Sequence, residues 1–380
     1  MNKTNILFII PEFSHGGTNK VLENLLSFID NDKYDINIYS LYEDGGEYYK
    51  KIFKPYLIPK SHLYYWFHDN AITRKILGFY NKITKRDNFT WLYKREAYLI
   101  QKRHFYDTVI AFQEGSSTLF ASHMPIKKRI AWIHCDYRIL YRNNKNKNEE
   151  QIYEKFKFIV CVSNNATRSF TVLYPELNER TITIHNIMDV NSIIKKSYET
   201  INTNIFNSNT FNIISIGRFV KVKQFDMIPH IASKIKQLCN IPFKWYIIGS
   251  GDETRINTIN EIRKKGLEDT VILLGSQNNP YTYIRKCHLL VCTSHSESYP
   301  TVINEAKIIG VPVISNDFPS AKEVINDNCG WICNINNMPE LIADIIIDKK
   351  NIYSTVKNKI REFDYNIENK KILNTLYTVL

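Results

Sequence analysis

Short apolar runs separated by amphipathic stretches organise this chain. The first run, Ile6 to Ile10, gives way to Gly16 and Gly17, after which Val21, Leu22, Leu25, Leu26 and Ile29 recur at helical spacing on one face. That pattern predicts strand, glycine loop, helix. Runs of the same kind at Ile36 to Leu41, Thr108 to Phe112, Ile130 to Ile133, Phe158 to Val162 and Thr181 to Ile184 read as buried parallel strands, with helix-like segments between most of them. Tyr49 to Tyr106 is less regular and rich in Tyr, Trp, Lys and Arg, which predicts helices or loops that shape an acceptor surface.

After Met188 the sequence turns polar, and Ser197 to Thr210 reads as an interdomain linker. A second alternation follows, with strands expected at Phe211 to Ile216, Trp245 to Ile248, Val271 to Leu274, Leu289 to Cys292 and Pro312 to Ser315. The expected fold is α/β, with two Rossmann-like domains of parallel sheet facing a central cleft. Their boundaries fall at residues 1–190, a linker at 191–210, and 211–365. A C-terminal helix over 366–380 is expected to pack back on the first domain. Ligands of such sheets bind at the carboxyl ends of the strands, so the cleft is the expected site.

A length of 380 residues agrees with two cores, and 44% apolar residues suffice to fill them. The first apolar run is too short and too weakly flanked by charge for a signal peptide, and no stretch approaches the ~20 residues of a membrane span. Seven scattered cysteines without a CxxC pair point to reduced thiols and a cytoplasmic protein. A formal charge of +12 would draw the chain toward anionic membrane, phosphorylated lipid or nucleic acid. No nucleic-acid motif accompanies the dispersed lysines, so nucleic acid is not expected as a partner; peripheral attachment to the inner leaflet stays open.

The segment with most chemistry is SHSESYPTVINEAKIIGVPVIS, Ser294 to Ser315, which follows a strand. A helix starting near Pro300 puts Glu297 in the preceding loop and Glu305 one to two turns inside, roughly 12 Å apart at most. Two such acceptors could grip two ends of one ligand while the helix-start amides face an anion. The plainer alternative is a helix with surface glutamates. Gly217-Arg218-Phe219 follows the first strand of the second domain, with Lys223 and Asp226 close behind. Arg offers a two-pronged phosphate donor and Lys a point charge.

These segments together resemble the retaining glycosyltransferase family 4, also called glycosyltransferase group 1, which has the GT-B fold. GRFVKVKQFD at 217–226 is similar to that family's Gly-Arg-Leu, Lys-Gly, Asp signature, and IIGSGDE at 247–253 to its strand-end glycine turn. Glu297 and Glu305 match its Glu-seven-Glu motif, and Gly16 and Gly17 resemble its N-terminal phosphate-side loop.

The resemblance implies that Arg218 and Lys223 neutralise a donor diphosphate, that Glu305 binds the ribose hydroxyls, and that Glu297 contacts the donor sugar. Ser298, Tyr299, Pro300 and Thr301 would complete that pocket with their amides; Gly249 would line the donor, and Gly16 or Gly17 would approach its phosphate. His134, in AWIHCDY, resembles the family's first-domain histidine near the transferred sugar. The chain departs from the family at Gln224, Ser298 and Pro300, where glycine is usual, and at Cys135, which stands where Asp commonly follows the histidine.

The function so implied is retaining transfer of a hexosyl or N-acetylhexosaminyl group, with UDP as the expected nucleotide. The acceptor would be a saccharide or lipid-linked sugar in capsule or lipopolysaccharide synthesis at the inner leaflet. Catalytic roles fall to Arg218, Lys223, Glu297 and His134, with no general base and no metal or other cofactor expected. Asp30 and Asp32 form a DxD that reads as a solvated turn. The rival functions are a sugar-nucleotide epimerase of the same architecture and a non-catalytic protein that binds polyanions or membranes.

Overall fold

The computed structural model describes residues 3–14, 16–43, 46–84, 88–141, 147–200, 205–206 and 209–380. The chain divides into two compact units, Met1–Ile187 with Lys371–Leu380, and Met188–Lys370.

The first unit is built on six parallel strands: β1 Thr4–Ile10, β2 Tyr34–Ser40, β3 Thr108–Ala111, β4 Lys128–Ile133, β5 Phe158–Cys161 and β6 Thr181–Thr183. Their order is β2-β1-β3-β4-β5-β6. β1 is apolar along nearly its whole length because it has a neighbour on each side, pairing with β2 and β3, and lies buried. The aromatic-rich region forms helices, among them Ala71–Thr84 and Asn88–Arg103. Tyr64 and Tyr93 from this region pack with Tyr39 and Phe120 in edge and stacked contacts. Glu96, fully buried there, is satisfied by the Tyr39 hydroxyl at 3.0 Å and the Ser61 amide at 2.9 Å. Within this unit the chain end returns, with Tyr377 stacked on Tyr34 and its hydroxyl donating to the Phe28 carbonyl at 3.2 Å.

The second unit repeats the plan with β7 Phe211–Ile216, β8 Phe243–Ile248, β9 Val271–Gly275, β10 Leu289–Cys292, β11 Val313–Asn316 and β12 Gly330–Cys333, ordered β12-β11-β10-β7-β8-β9 and parallel throughout. Trp245 sits at its centre, fully buried, its indole N–H donating to Ser215 at 3.0 Å.

Two elements lie outside the expected pattern. Val190–Ser197, assigned to the linker, is a helix; the Asp189 side chain accepts from the Ser192 amide at 2.9 Å, and Ile193 is buried. Its polar outer face hid it. The twelfth strand, Gly-Trp-Ile-Cys, is too short to show alternation, and its glycine is required by contact: a Cβ on Gly330 would lie 2.0 Å from the Val313 carbonyl oxygen. Asp30 and Asp32 do form a turn, in which the Asp30 carboxylate accepts from the Asp32 amide and pairs with Lys33.

Candidate active site

An open parallel sheet offers a ligand crevice at the carboxyl ends of its strands, where the strand order reverses. In the second unit that point lies between β7 and β10, paired through Ile213–Leu289 and Ile214–Leu290. The loop after β7 carries Gly217, Arg218 and Lys223, and the loop after β10 carries residues 293–300. Polar bonds stitch the two loops together. Thr293 donates its hydroxyl to the Lys223 carbonyl at 2.7 Å, and the His295 amide donates to the Val222 carbonyl at 3.0 Å. The Lys223 ammonium meets the Glu297 carboxylate, whose same oxygen, Oε1, accepts from the Ser294 hydroxyl at 2.7 Å. Ser320 donates to the Glu297 carbonyl at 2.7 Å, so both ends of that residue are held.

Burial pulls the Lys223 ammonium toward the neutral form and Arg218 does the same, but attraction to Glu297, aided by Cys292, outweighs both and leaves its pKa above the ordinary lysine value. Lys223 is therefore a fixed, half-buried cation. Arg218 beside it is exposed, and its guanidinium engages no carboxylate among the described residues. Directly after Lys223, Gln224 adopts φ 51° and ψ 39°, the left-handed region that costs a residue with a side chain roughly 1–2 kcal/mol. This is a position where the resembled family often has glycine, so the turn is kept and the strain accepted.

Gly249 has a structural reason to be glycine. A Cβ there would stand 1.8 Å from the Gly217 carbonyl oxygen, because the ends of β7 and β8 press together. This packing requirement stands beside the expectation that it lines a donor.

The helix Thr301–Ile309 begins at Pro300 with no side chain capping it, so its first amides remain available. Ser298 and Thr301 are half-buried, whereas the Tyr299 and Pro300 side chains are buried. The Tyr299 hydroxyl lies 3.2 Å from that of Tyr365. Glu305, in the second turn, is also buried and accepts from the Tyr281 hydroxyl at 3.4 Å.

In the first unit the order reverses between β1 and β3. Gly16 and Gly17 follow β1, and the helix Gly17–Leu26 starts there. A Cβ on either glycine would meet nothing within 4 Å, so the helix start faces open space. Asn19 pins the loop by donating to the Glu12 and Ser14 carbonyls at 3.0 and 2.9 Å. His134 follows β4, its amide donating to the Glu114 carboxylate at 2.8 Å. Burial lowers the His134 imidazole to about 3, against a hydrogen bond to the Phe112 backbone, and its Nε2 is buried with no hydrogen-bond partner among the described residues. The ring is therefore neutral, with Nε2 unengaged. Asp136 does not reach toward it, being bound by Arg138 at 2.8 Å and by Asn165 at 2.9 Å.

Glu114 went unnoticed in the sequence. Burial raises its pKa, partly opposed by hydrogen bonds from the His134 amide and from Cys135, and it fixes the start of the loop that carries the histidine. The signal was an acidic residue just past an apolar run, in AFQEG.

Residues 198–362 match the family model of glycosyl transferases group 1, a span that takes in Arg218, Lys223, Glu297 and Glu305. Over that domain the chain is similar to the group 1 glycosyltransferases. Similarity to glycosyltransferases extends beyond that domain. An uncharacterized glycosyltransferase of Haemophilus influenzae is 24% identical over 374 residues, covering 95% of this chain and 96% of the relative. The amylovoran biosynthesis glycosyltransferase AmsD of Erwinia amylovora is 23% identical over 85% of this chain and 84% of its own. The crystal structure of Anabaena Alr3699/HepE in complex with UDP-glucose superposes with a TM-score of 0.72 at 17% identity, covering 98% of this chain and 99% of that one. This glycosyltransferase thus has the GT-B fold.

Proposed function

We propose that this glycosyltransferase moves a hexosyl or N-acetylhexosaminyl group from a UDP-sugar to a saccharide or lipid-linked acceptor in surface-polysaccharide synthesis, with retention at the anomeric carbon. The observation that carries the reading is the Lys223–Glu297 pair at the strand-order reversal of the second sheet, with exposed Arg218 beside it. Cleaving a sugar–diphosphate bond builds negative charge on the leaving group, and preorganised cations stabilise such charge without reorganising. Lys223, Arg218 and the amides of the helix starting at Thr301 suit that task. Glu297 spends Oε1 on Lys223 and Ser294, leaving Oε2 for a donor-sugar hydroxyl. Glu305 suits the ribose hydroxyls, the open helix start at Gly16 and Gly17 suits a phosphate, and neutral His134 can accept from a sugar hydroxyl through Nε2.

The UDP assignment is supported by the UDP-glucose bound to the HepE structure of the same fold, and the polysaccharide assignment by the name of the AmsD relative. Family 4 and retention rest on the sequence motifs. Because the chain supplies its own cations for the leaving group, turnover should persist in the presence of a divalent-metal chelator. Seven free cysteines support a reducing, cytoplasmic setting.

A thermal-shift panel of sugar nucleotides identifies the donor, since a ligand that binds the folded state stabilises it by mass action. With that donor, Arg218→Ala, Lys223→Ala and Glu305→Ala should each lower turnover by at least ~100-fold. Full activity in all three variants refutes the proposal, and conversion of the sugar nucleotide without any acceptor would indicate an epimerase instead.

A further inference from the structure

The helix Ala71–Thr84 of the first unit presents an apolar stripe to solvent. Ile72, Ile76 and Phe79 are 71%, 61% and 67% exposed. At about 100° per residue they fall within roughly 60° of one another, on one face. Arg74 points the opposite way, its guanidinium 5.7 Å from the centre of the Tyr42 ring, so the stripe is the face turned away from the unit's body. The helix is well anchored for this, since the Asn70 side chain accepts from the Ile72 and Thr73 amides at 3.0 and 3.4 Å.

Two exposed lysines, Lys75 and Lys82, border the stripe. More exposed aromatic surface comes from Trp66, in the short π-helix Tyr65–Asp69 before this helix, and from Trp91 and Tyr98, seven residues apart on one face of the helix Asn88–Arg103 with exposed Lys94 and Lys102. No acidic residue occurs between residues 70 and 86, and Glu96 of the second helix is buried and bonded to Tyr39 and Ser61. Exposed apolar groups bordered by lysine and joined by Trp and Tyr have the composition of elements that lie in a bilayer interface, whereas the core of a protein–protein interface is depleted of lysine. Among the described residues no helix is long and apolar enough to cross a membrane.

We propose that this helical region is a membrane-docking surface: the Ile72–Ile76–Phe79 stripe inserts among the acyl chains of an anionic bilayer while the neighbouring lysines pair with lipid phosphates. The inference is independent of the transfer reaction, because vesicle binding requires neither donor nor turnover.

The test is co-sedimentation of the full chain with vesicles of equal parts phosphatidylcholine and phosphatidylglycerol, and with phosphatidylcholine alone. The wild type should sediment with the anionic vesicles, less so as salt rises, and only weakly with the neutral ones. A triple variant, Ile72→Ser with Ile76→Ser and Phe79→Ser, should bind the anionic vesicles roughly tenfold less or weaker still, with its melting temperature unchanged. Lys75→Glu with Lys82→Glu should weaken binding while leaving the apolar stripe in place, which keeps the test decisive if the triple variant misfolds. A wild type that stays in the supernatant, or variants that bind as well as the wild type, overturn the proposal. So does a wild-type dimer in light scattering that the triple variant dissolves without any vesicle binding, since the stripe would then be a contact between copies.

Discussion

The two units share a six-stranded parallel plan and differ in how much of their strand-end chemistry is already assembled. In the second, the loops after β7 and β10 are tied by Thr293, Ser294, Glu297 and Ser320, and the charged pair Lys223–Glu297 joins them. In the first, the strand ends carry an uncovered helix start at Gly16 and Gly17 and a neutral histidine with Nε2 unengaged. The contrast teaches that a cation set among buried strand ends comes with its partner, because burying a lone lysine is expensive unless a carboxylate stands beside it. A helix start with open space before it, as at Gly16 and Gly17, needs no such partner.

The largest expected effect breaks the preassembled side. Lys223→Ala should lower turnover by roughly 100- to 1000-fold, the scale for losing one preorganised transition-state donor. A loss under tenfold in steady-state kinetics would mean the tied loops do not bear on the chemistry.

Next in size are the glycines, whose reasons differ between the units. Gly249→Ala should destabilise the protein by about 2–4 kcal/mol in urea unfolding, because the added carbon would sit 1.8 Å from a backbone oxygen that cannot move aside. Gly17→Ala, with nothing within 4 Å, should stay within about 0.5 kcal/mol. Equal effects at the two positions would erase the distinction.

Smaller again is the acid response of the first unit. His134 is held near 3 in the folded state against an ordinary value of 6.5. The unfolded chain therefore takes up the proton first, and the stability this residue supports is complete above pH 6.5 and is lost as pH falls toward 3. The slope for this one group is at most about 1.4 kcal/mol per pH unit, and His134→Asn should remove it from the pH dependence of urea unfolding. An unchanged acid slope in the variant would show that the ring is not buried neutral.

The smallest effect concerns Gln224. Replacing it with glycine relieves a left-handed backbone and should stabilise the second unit by about 1 kcal/mol, readable as a raised urea midpoint. No gain would place the strain elsewhere.

Much of this was legible before any coordinates. Parallel strands buried on both faces are near-continuous apolar runs, so β7 and β10 could be read to the residue, and the chemistry stood where those runs end. What escaped reading lacked such a run. The Val190–Ser197 helix shows solvent a polar face, and β12 has only four residues, one of them a glycine kept for backbone contact. Pairings across the sheet were invisible in principle: nothing local says that Glu297 accepts from Lys223, or that Glu114 holds the amide of His134, because both depend on which strands become neighbours. Gly249 likewise has a cause that no local pattern shows, its neighbour's carbonyl standing where a Cβ would go.

Calorimetric titration of UDP into the wild type, Arg218→Ala and Lys223→Ala tests the central claim most directly. The account predicts that UDP binds the wild type and that each substitution weakens binding by roughly tenfold or more, as expected for losing a charge-assisted phosphate contact, with the exposed Arg218 variant melting as the wild type does. UDP affinity unchanged in both variants would contradict it, since the diphosphate would then be held elsewhere.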